Sequence, residues 1–218
     1  MPFFKNTIHS SVLLFFLLVL ASAKCSGQDF KPMPQPEKFV AAYRAQVEQQ
    51  TTLKADYVQL RHLTFMKDPS QSTGVFFAAG QSKIRWEQVQ PKSHILLMNE
   101  GTAYVIADGK TETYDLEKNR QFRTINEMMT RVMSGDISDN TDFEVTFLES
   151  DKEVKVILVP TRKMMKKFIG SIELIVDKSS YLLNRMTMTE ADGNATELIF
   201  SNQKANIPLE MSIFEPTK

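Results

Sequence analysis

Two short matches to catalytic motifs are the first residues to test for chemistry. Ser201-Asn202-Gln203-Lys204 fits S-x-x-K and Ser138-Asp139-Asn140 fits S-D-N, the motifs of penicillin-recognising enzymes. Their order along the chain is the reverse of that family's, K-T-G is missing, and Ser201 follows a strand pattern where the nucleophile must open a helix. Both matches are chance. The chain has no G-x-S-x-G elbow, P-loop or dinucleotide fingerprint. Its 26 acidic residues leave carboxylate pairs open, but no motif supplies a nucleophile with a base and oxyanion donors. The expected protein is not an enzyme and needs no cofactor. His62, His94 and Cys25 lack zinc-ligand spacing, so no metal site is expected either, and each of these two histidines reads as a surface or hydrogen-bonded imidazole in a strand.

What the chain does hold is soft apolar matter, in the form of 12 methionines. Met128, Met129 and Met133, with Ile125 and Val132, fall on one face of a helix predicted over 124–134, and Met164 and Met165 on a second over 162–169. Methionine is unbranched and polarizable, so it suits a surface that accepts varied apolar ligands. Two readings follow: an acyl-binding cavity under a movable helical lid, or an ordinary core that uses methionine as filler.

The elements that must position these residues begin after an apparent leader. Lys5, the apolar run Val12 to Leu20 and the small residues Ala21-Ser22-Ala23 make a signal peptide of residues 1–27, cleaved after Ala23 or Gly27. The run is under half of the roughly 20 residues that span a bilayer. Lys24 before Cys25 does not suit lipoprotein processing, which wants a small residue there, and a lone cysteine has no intramolecular partner. Residues 28–218 are then expected as one domain, stabilised by a packed core.

A proline-punctuated stretch at 28–36 should resist both helix and sheet. From Pro36 one apolar stripe, Phe39, Val40, Tyr43 and Val47, predicts a helix to about Gln50. Period-two segments follow at 53–66, 74–79, 82–89, 93–99, 102–107 and 110–116, then at 143–148, 154–159, 171–177, 182–190 and 195–200, with a final edge strand at 211–214. Thr124-Ile125-Asn126-Glu127 reads as a capping box and Gly135 as the stop of the second helix. Asp192-Gly193-Asn194 marks a tight hairpin. Alternation places Val75 and Phe77, Ile172, Leu174 and Val176, and Leu182, Met186 and Met188 on one greasy face. The expected fold is α+β and mainly β: a single strongly curved antiparallel sheet of about eleven strands, an unclosed β-barrel, with three short helices as its lid.

Charge adds little. The 26 basic and 26 acidic residues balance, which points away from nucleic acid, and no basic patch marks a membrane surface; a monomer is expected. Lys163, Lys166 and Lys167 read as the solvated face of a short amphipathic helix.

The order of elements resembles a known family. Ala55-Asp56-Tyr57-Val58-Gln59, Gly74, Ile84-Arg85-Trp86-Glu87 with Pro91, Val156 to Pro160, Ile172 to Asp177, and Asp192-Gly193-Asn194-Ala195-Thr196 running to Phe200-Ser201-Asn202 and Asn206 are similar to the LolA/LolB-like family of periplasmic lipoprotein carriers. The resemblance implies a soluble periplasmic protein whose cavity takes the acyl chains of lipoproteins. An inner-membrane releasing transporter would load it, and an outer-membrane acceptor would unload it. It also implies Ile84 at the cavity entrance, with Trp86 either packing or touching ligand. Together with Phe77, Met128, Met129, Val132, Met133, Met164, Met165 and Met186, these are the expected ligand-binding residues. The resemblance implies an arginine, followed by proline in the turn before that strand, whose hydrogen bonds to the lid govern its opening; this chain has Ala79-Gly80 there. A lipid-sensing binding module of the same fold and an envelope hydrolase are the competing readings.

Overall fold

Residues that suit a pleated surface recur through most of the chain, and most of them form strands. The computed structural model describes residues 29–138 and 141–216. The leader with Lys5, the 12–20 run and Cys25 lies outside the described residues, as do Asp139 and Asn140. In order the elements are β1 (Lys31–Pro32), α1 (Pro36–Glu48), β2 (Thr52–His62), β3 (Ser70–Ala79), β4 (Lys83–Gln90), β5 (His94–Asn99), β6 (Thr102–Ala107) and β7 (Lys110–Asp115). Then come α2 (Arg120–Ser134), β8 (Phe143–Glu149), β9 (Glu153–Pro160), β10 (Ile169–Asp177), β11 (Leu183–Glu190), β12 (Ala195–Ala205) and a 3-10 turn at Met211–Phe214.

One 12-stranded sheet contains every strand, in the order β1-β8-β9-β10-β11-β12-β2-β3-β4-β5-β6-β7. Two antiparallel meanders are joined where β12 pairs with β2, from Ala195 opposite His62 to Ala205 opposite Leu53. β1 and β7 remain as edges, so the sheet is unclosed. Laid flat, β7 and β8 would stand ten strand spacings apart, about 48 Å. Yet α2 touches both: Phe122 lies 4.8 Å from Tyr114 between ring centroids, and Val132 shares a cluster with Phe143. The sheet curls around the helix.

Several expectations are corrected. The twelfth strand is β1, where Lys31 and Pro32 pair with Glu149 and Leu148; proline is tolerated there because an edge strand leaves one side without ladder partners. α2 starts a turn before the predicted capping box, because the Asn119 side chain accepts the Phe122 N–H at 3.2 Å and takes the N-cap. Gly135, at φ +73°, closes that helix as expected.

The third helix is missing. Residues 162–168 form successive turns, with the Arg162 carbonyl accepting from Met165 and Lys166, and the Met165 carbonyl from Phe168 and Ile169. β10 reclaims the chain at Ile169, too soon for a helix nucleus to recover its entropic cost. Nor do residues 211–214 add a strand. They make a 3-10 turn that lays Phe214, fully buried, on the outer face of the sheet, held by an Arg85 guanidinium bond to the Ile213 carbonyl at 3.0 Å.

Two local devices can be tested. At the bulge between Thr73 and Gly74, a Cβ on Gly74 would meet the Glu87 carbonyl oxygen at 2.0 Å and the Tyr57 ring at 2.8 Å. Gly74→Ala should therefore cost about 2 kcal/mol or more in urea denaturation. In the β10–β11 turn, Asp177 Oδ1 accepts the hydroxyls and N–H groups of Ser179 and Ser180 at 2.6–2.9 Å. The Ser179 hydroxyl leads in holding that carboxyl down at about 2. A depressed folded-state value stabilises above the unfolded value of about 3.9 and is lost as pH falls towards 2. The stability difference between wild type and Asp177→Asn should be full at pH 6 and fade across that acid window.

Candidate functional site

The inner face of the sheet carries two apolar pools that meet beneath α2. On the β2–β7 side, Tyr57, Phe76, Ala78, Ile84, Met98 and Leu198 are buried with Met129 of α2, and Trp86, Met133, Met186 and Phe200 pack against them. Cross-strand partners share a face, and the ladder pairs Phe76 with Trp86 and Ala78 with Ile84. Trp86 sits edge-on to Tyr57 and to Phe76, each at 5.4 Å between centroids. Burial pushes the Tyr57 phenol up to about 12, against the opposing pull of its hydrogen bond to Trp86.

On the β8–β10 side, Val154, Val156, Ile172, Leu174 and Val176 are buried with Phe39, Val40 and Tyr43 of α1 and Val132 of α2. Phe39 stacks between Tyr43 and Tyr181 at 5.8 and 5.9 Å. Met186 packs against both pools.

The expected ligand residues divide accordingly. Ile84, Trp86, Met129, Met133 and Met186 come together in the first pool, and Val132 and Met165 join the second. Phe77 does not join either. It pairs with Arg85, on the face opposite Ile84 and Trp86, and Lys54 Nζ lies 5.6 Å from its ring centroid. The inward residues of β3 are Phe76 and Ala78, so the predicted alternation is out by one position. Met164 is 52% exposed and lines an outer cleft. Met128 stands in α2, and its side chain lies outside the described residues.

Little room remains inside. A cleft of about 50 Å³ opens between Tyr43, Val47, Leu53, Ala78, Val132, Met133 and Leu183, and about 20 Å³ lies under the end of α2 beside Ile137 and Leu174. Small-molecule pockets run to about 300–1,000 Å³. Among the described residues, α2 and α1 fill much of the apolar lining, and displacement of α2 would make space. Outside α2 lies a wider cleft of about 860 Å³, walled by Arg123, Glu127, Thr130 and Arg131 on one side and by Arg162, Met164 and Met165 on the other. Asp142 in its wall forms ion pairs with Arg131, at 3.9 Å, and with Arg162.

α2 is fastened at its C-terminal end. The buried Tyr43 hydroxyl donates to the Val132 carbonyl at 2.9 Å, and burial pushes that phenol far above its usual range. Gly135 lets the helix end approach α1 so closely that a Cβ there would stand 2.7 Å from Arg44 Cα. The Arg44–Asp136 pair at 3.6 Å is half exposed and adds little. None of Tyr43, Phe76, Ala78 or Tyr57 is among the expected ligand residues; the alternation of Ile84-Arg85-Trp86-Glu87, carried across the hairpin, is the signal that finds Phe76 and Ala78.

A family model described as "Outer membrane lipoprotein carrier protein LolA" matches residues 48–217. No curated protein sequence matches significantly. Among solved structures, the chain is similar to an uncharacterized conserved protein from Thermus thermophilus, with TM-score 0.51, 12% identity, and 84% of this chain and 95% of that chain covered. It also matches a LolA superfamily protein from Nitrosomonas europaea, with TM-score 0.45, 12% identity and coverage of 83% and 97%. The MucA/MucB complex of Pseudomonas aeruginosa matches with TM-score 0.49 and 11% identity, over 83% of this chain and 60% of that one. At 12% identity the likeness to the Thermus thermophilus protein speaks to fold alone. Among the described residues no helix is long and apolar enough to cross a membrane.

If the Tyr43 bond is the catch on α2, Tyr43→Phe should lower stability by about 1 kcal/mol. It should also strengthen binding of a fluorescent fatty-acid probe by about fivefold, because the opened state becomes that much more populated. Weaker or unchanged probe binding, measured by titration, would show that the bond does not restrain the helix.

Proposed function

The chain belongs to the LolA family, and on that premise we propose that it is a periplasmic carrier of lipoprotein acyl chains. In this reading residues 1–27 are removed on export, and residues 28–218 work as one soluble, non-enzymatic domain. The carrier takes its cargo from a releasing transporter at the inner membrane and surrenders it to an acceptor at the outer membrane. The observation that supports it best is the plug: Met129, Val132 and Met133 fill a lining built from Ile84, Trp86, Leu198 and Met186 on one side and Ile172 and Leu174 on the other.

The energies of such an exchange are close to balance. An acyl chain of about fifteen methylenes gains roughly 12 kcal/mol on burial, and exposing three such side chains costs about 5–9 kcal/mol. The surplus is small enough to hold cargo and still release it. Methionine supports the exchange because it repacks around chains of different length without a fixed rotamer.

Two measurements test the reading. Mass spectrometry of protein purified natively from an envelope-containing host should find stoichiometric acylated polypeptide. Met133→Asp, at a half-buried position of the plug, should weaken fatty-acid probe binding tenfold or more, since a carboxylate there would have to be desolvated beside the cargo. A protein that carries no lipid and takes up no probe, even with Tyr43→Phe, would return the methionines to ordinary core.

A further inference from the structure

Seven large hydrophobic residues are well exposed among the described residues, and four of them gather on two neighbouring loops. Phe65 (80% exposed) and Met66 (49%) stand on the β2–β3 loop, Met164 (52%) and Phe168 (56%) on the turns before β10. The β11–β12 hairpin stitches the two together. The Ala191 N–H donates to the Phe168 carbonyl at 3.1 Å, and Asn194 Oδ1 accepts the Thr64 N–H at 3.0 Å. Isolated exposed apolar residues are common on any protein surface; four on one rim of the sheet are a patch.

The turns before β10 are the basic part of that rim, whose other two loops carry the exposed carboxylates Asp68 and Asp192. Between Thr161 and Ile169 the chain reads Arg-Lys-Met-Met-Lys-Lys-Phe, without a carboxylate. Arg162 is engaged by Asp142, but Lys163, Lys166 and Lys167 are exposed and join no ion pair among the described residues. In these turns Lys163, Lys166 and Lys167 are exposed within the same seven residues as the exposed Met164 and Phe168.

We propose that this rim docks on the surface of a bilayer containing anionic lipid, the lysines meeting headgroup phosphates and Phe65, Met66 and Phe168 entering the acyl boundary. The same turns form one wall of the 860 Å³ cleft whose other wall is α2. Docking therefore sets that cleft, and the helix on its far wall, close to the membrane. The inference stands on surface residues alone and does not depend on what the interior carries.

The test is sedimentation of the protein with phosphatidylcholine vesicles, with and without phosphatidylglycerol. Association should require phosphatidylglycerol and decline with added salt. The triple variant K163E/K166E/K167E should lose it tenfold or more, and Phe65→Ser with Phe168→Ser severalfold, both with unchanged thermal midpoints. A Trp placed by Phe168→Trp should shift to the blue on the anionic vesicles. Equal partition onto neutral vesicles, association that survives the lysine reversals, or none onto either vesicle would overturn the proposal. Fatty-acid probe binding should be the same in the triple variant, so failure here is distinguishable from failure of the carrier reading.

Discussion

Among the described residues two helices have to cover the apolar face of a sheet twelve strands wide, and the rest of the architecture follows from that shortage. A greasy face left in water is not a stable solution. The sheet meets the constraint by curling until strands from both meanders reach the same helix, so that α2 serves one pool through Met129 and the other through Val132. The two helices are not equal partners. α1 is embedded by Phe39, Val40 and Tyr43 among aromatic neighbours. Among the described contacts, α2 meets α1 at its last turn, through one buried hydrogen bond and one close glycine approach. The element that fills the interior is thus tied to α1 at one end, while Phe122 near its start packs on Tyr114 of β7.

The arginine latch that the family resemblance implies has no counterpart at Ala79-Gly80. Ala79-Gly80 contributes no cation to a lid, but Gly80 has its own duty, adopting φ +57° and donating its N–H to the Thr51 carbonyl at 2.9 Å. The buried hydrogen bond between the two helices joins a neutral phenol and a carbonyl. Such a bond is short-ranged and little screened by salt, unlike an exposed ion pair.

Much of this is legible in the chain, and the misses have identifiable causes. β4 is readable because Ile-Arg-Trp-Glu alternates cleanly. β3 is not, because Val75-Phe76-Phe77-Ala78-Ala79 is apolar at every position and only its partner strand decides which side faces in. A shift of one residue moves the whole set to the other face, which is how local alternation puts Phe77 with the cavity and leaves Phe76 out. The start of α2 misleads for a different reason: Thr124 and Glu127 have the spacing of a cap, but Asn119 stands earlier and caps first. The lysine-methionine segment carries a helical period over too few residues to offset the cost of a nucleus, and the strand that follows decides the matter. Tyr43 reads as a stripe residue, but its bond to Val132, 89 positions away, belongs to the tertiary structure and has no local trace.

The seam between the meanders bears on how such a molecule comes into being. β2 lies near the start of the described chain and its second neighbour, β12, near the end; the bonds beside that seam join Thr51 and Asn206 across 155 positions. Contacts so distant in sequence are slow to form. Until residues 195–205 are available, β2 is a raw margin with unsatisfied backbone groups on one side, and the two meanders are separate sheets. An incomplete or stalled chain would therefore present template-competent edges. The strand made last turns two aggregation-prone fragments into one vessel.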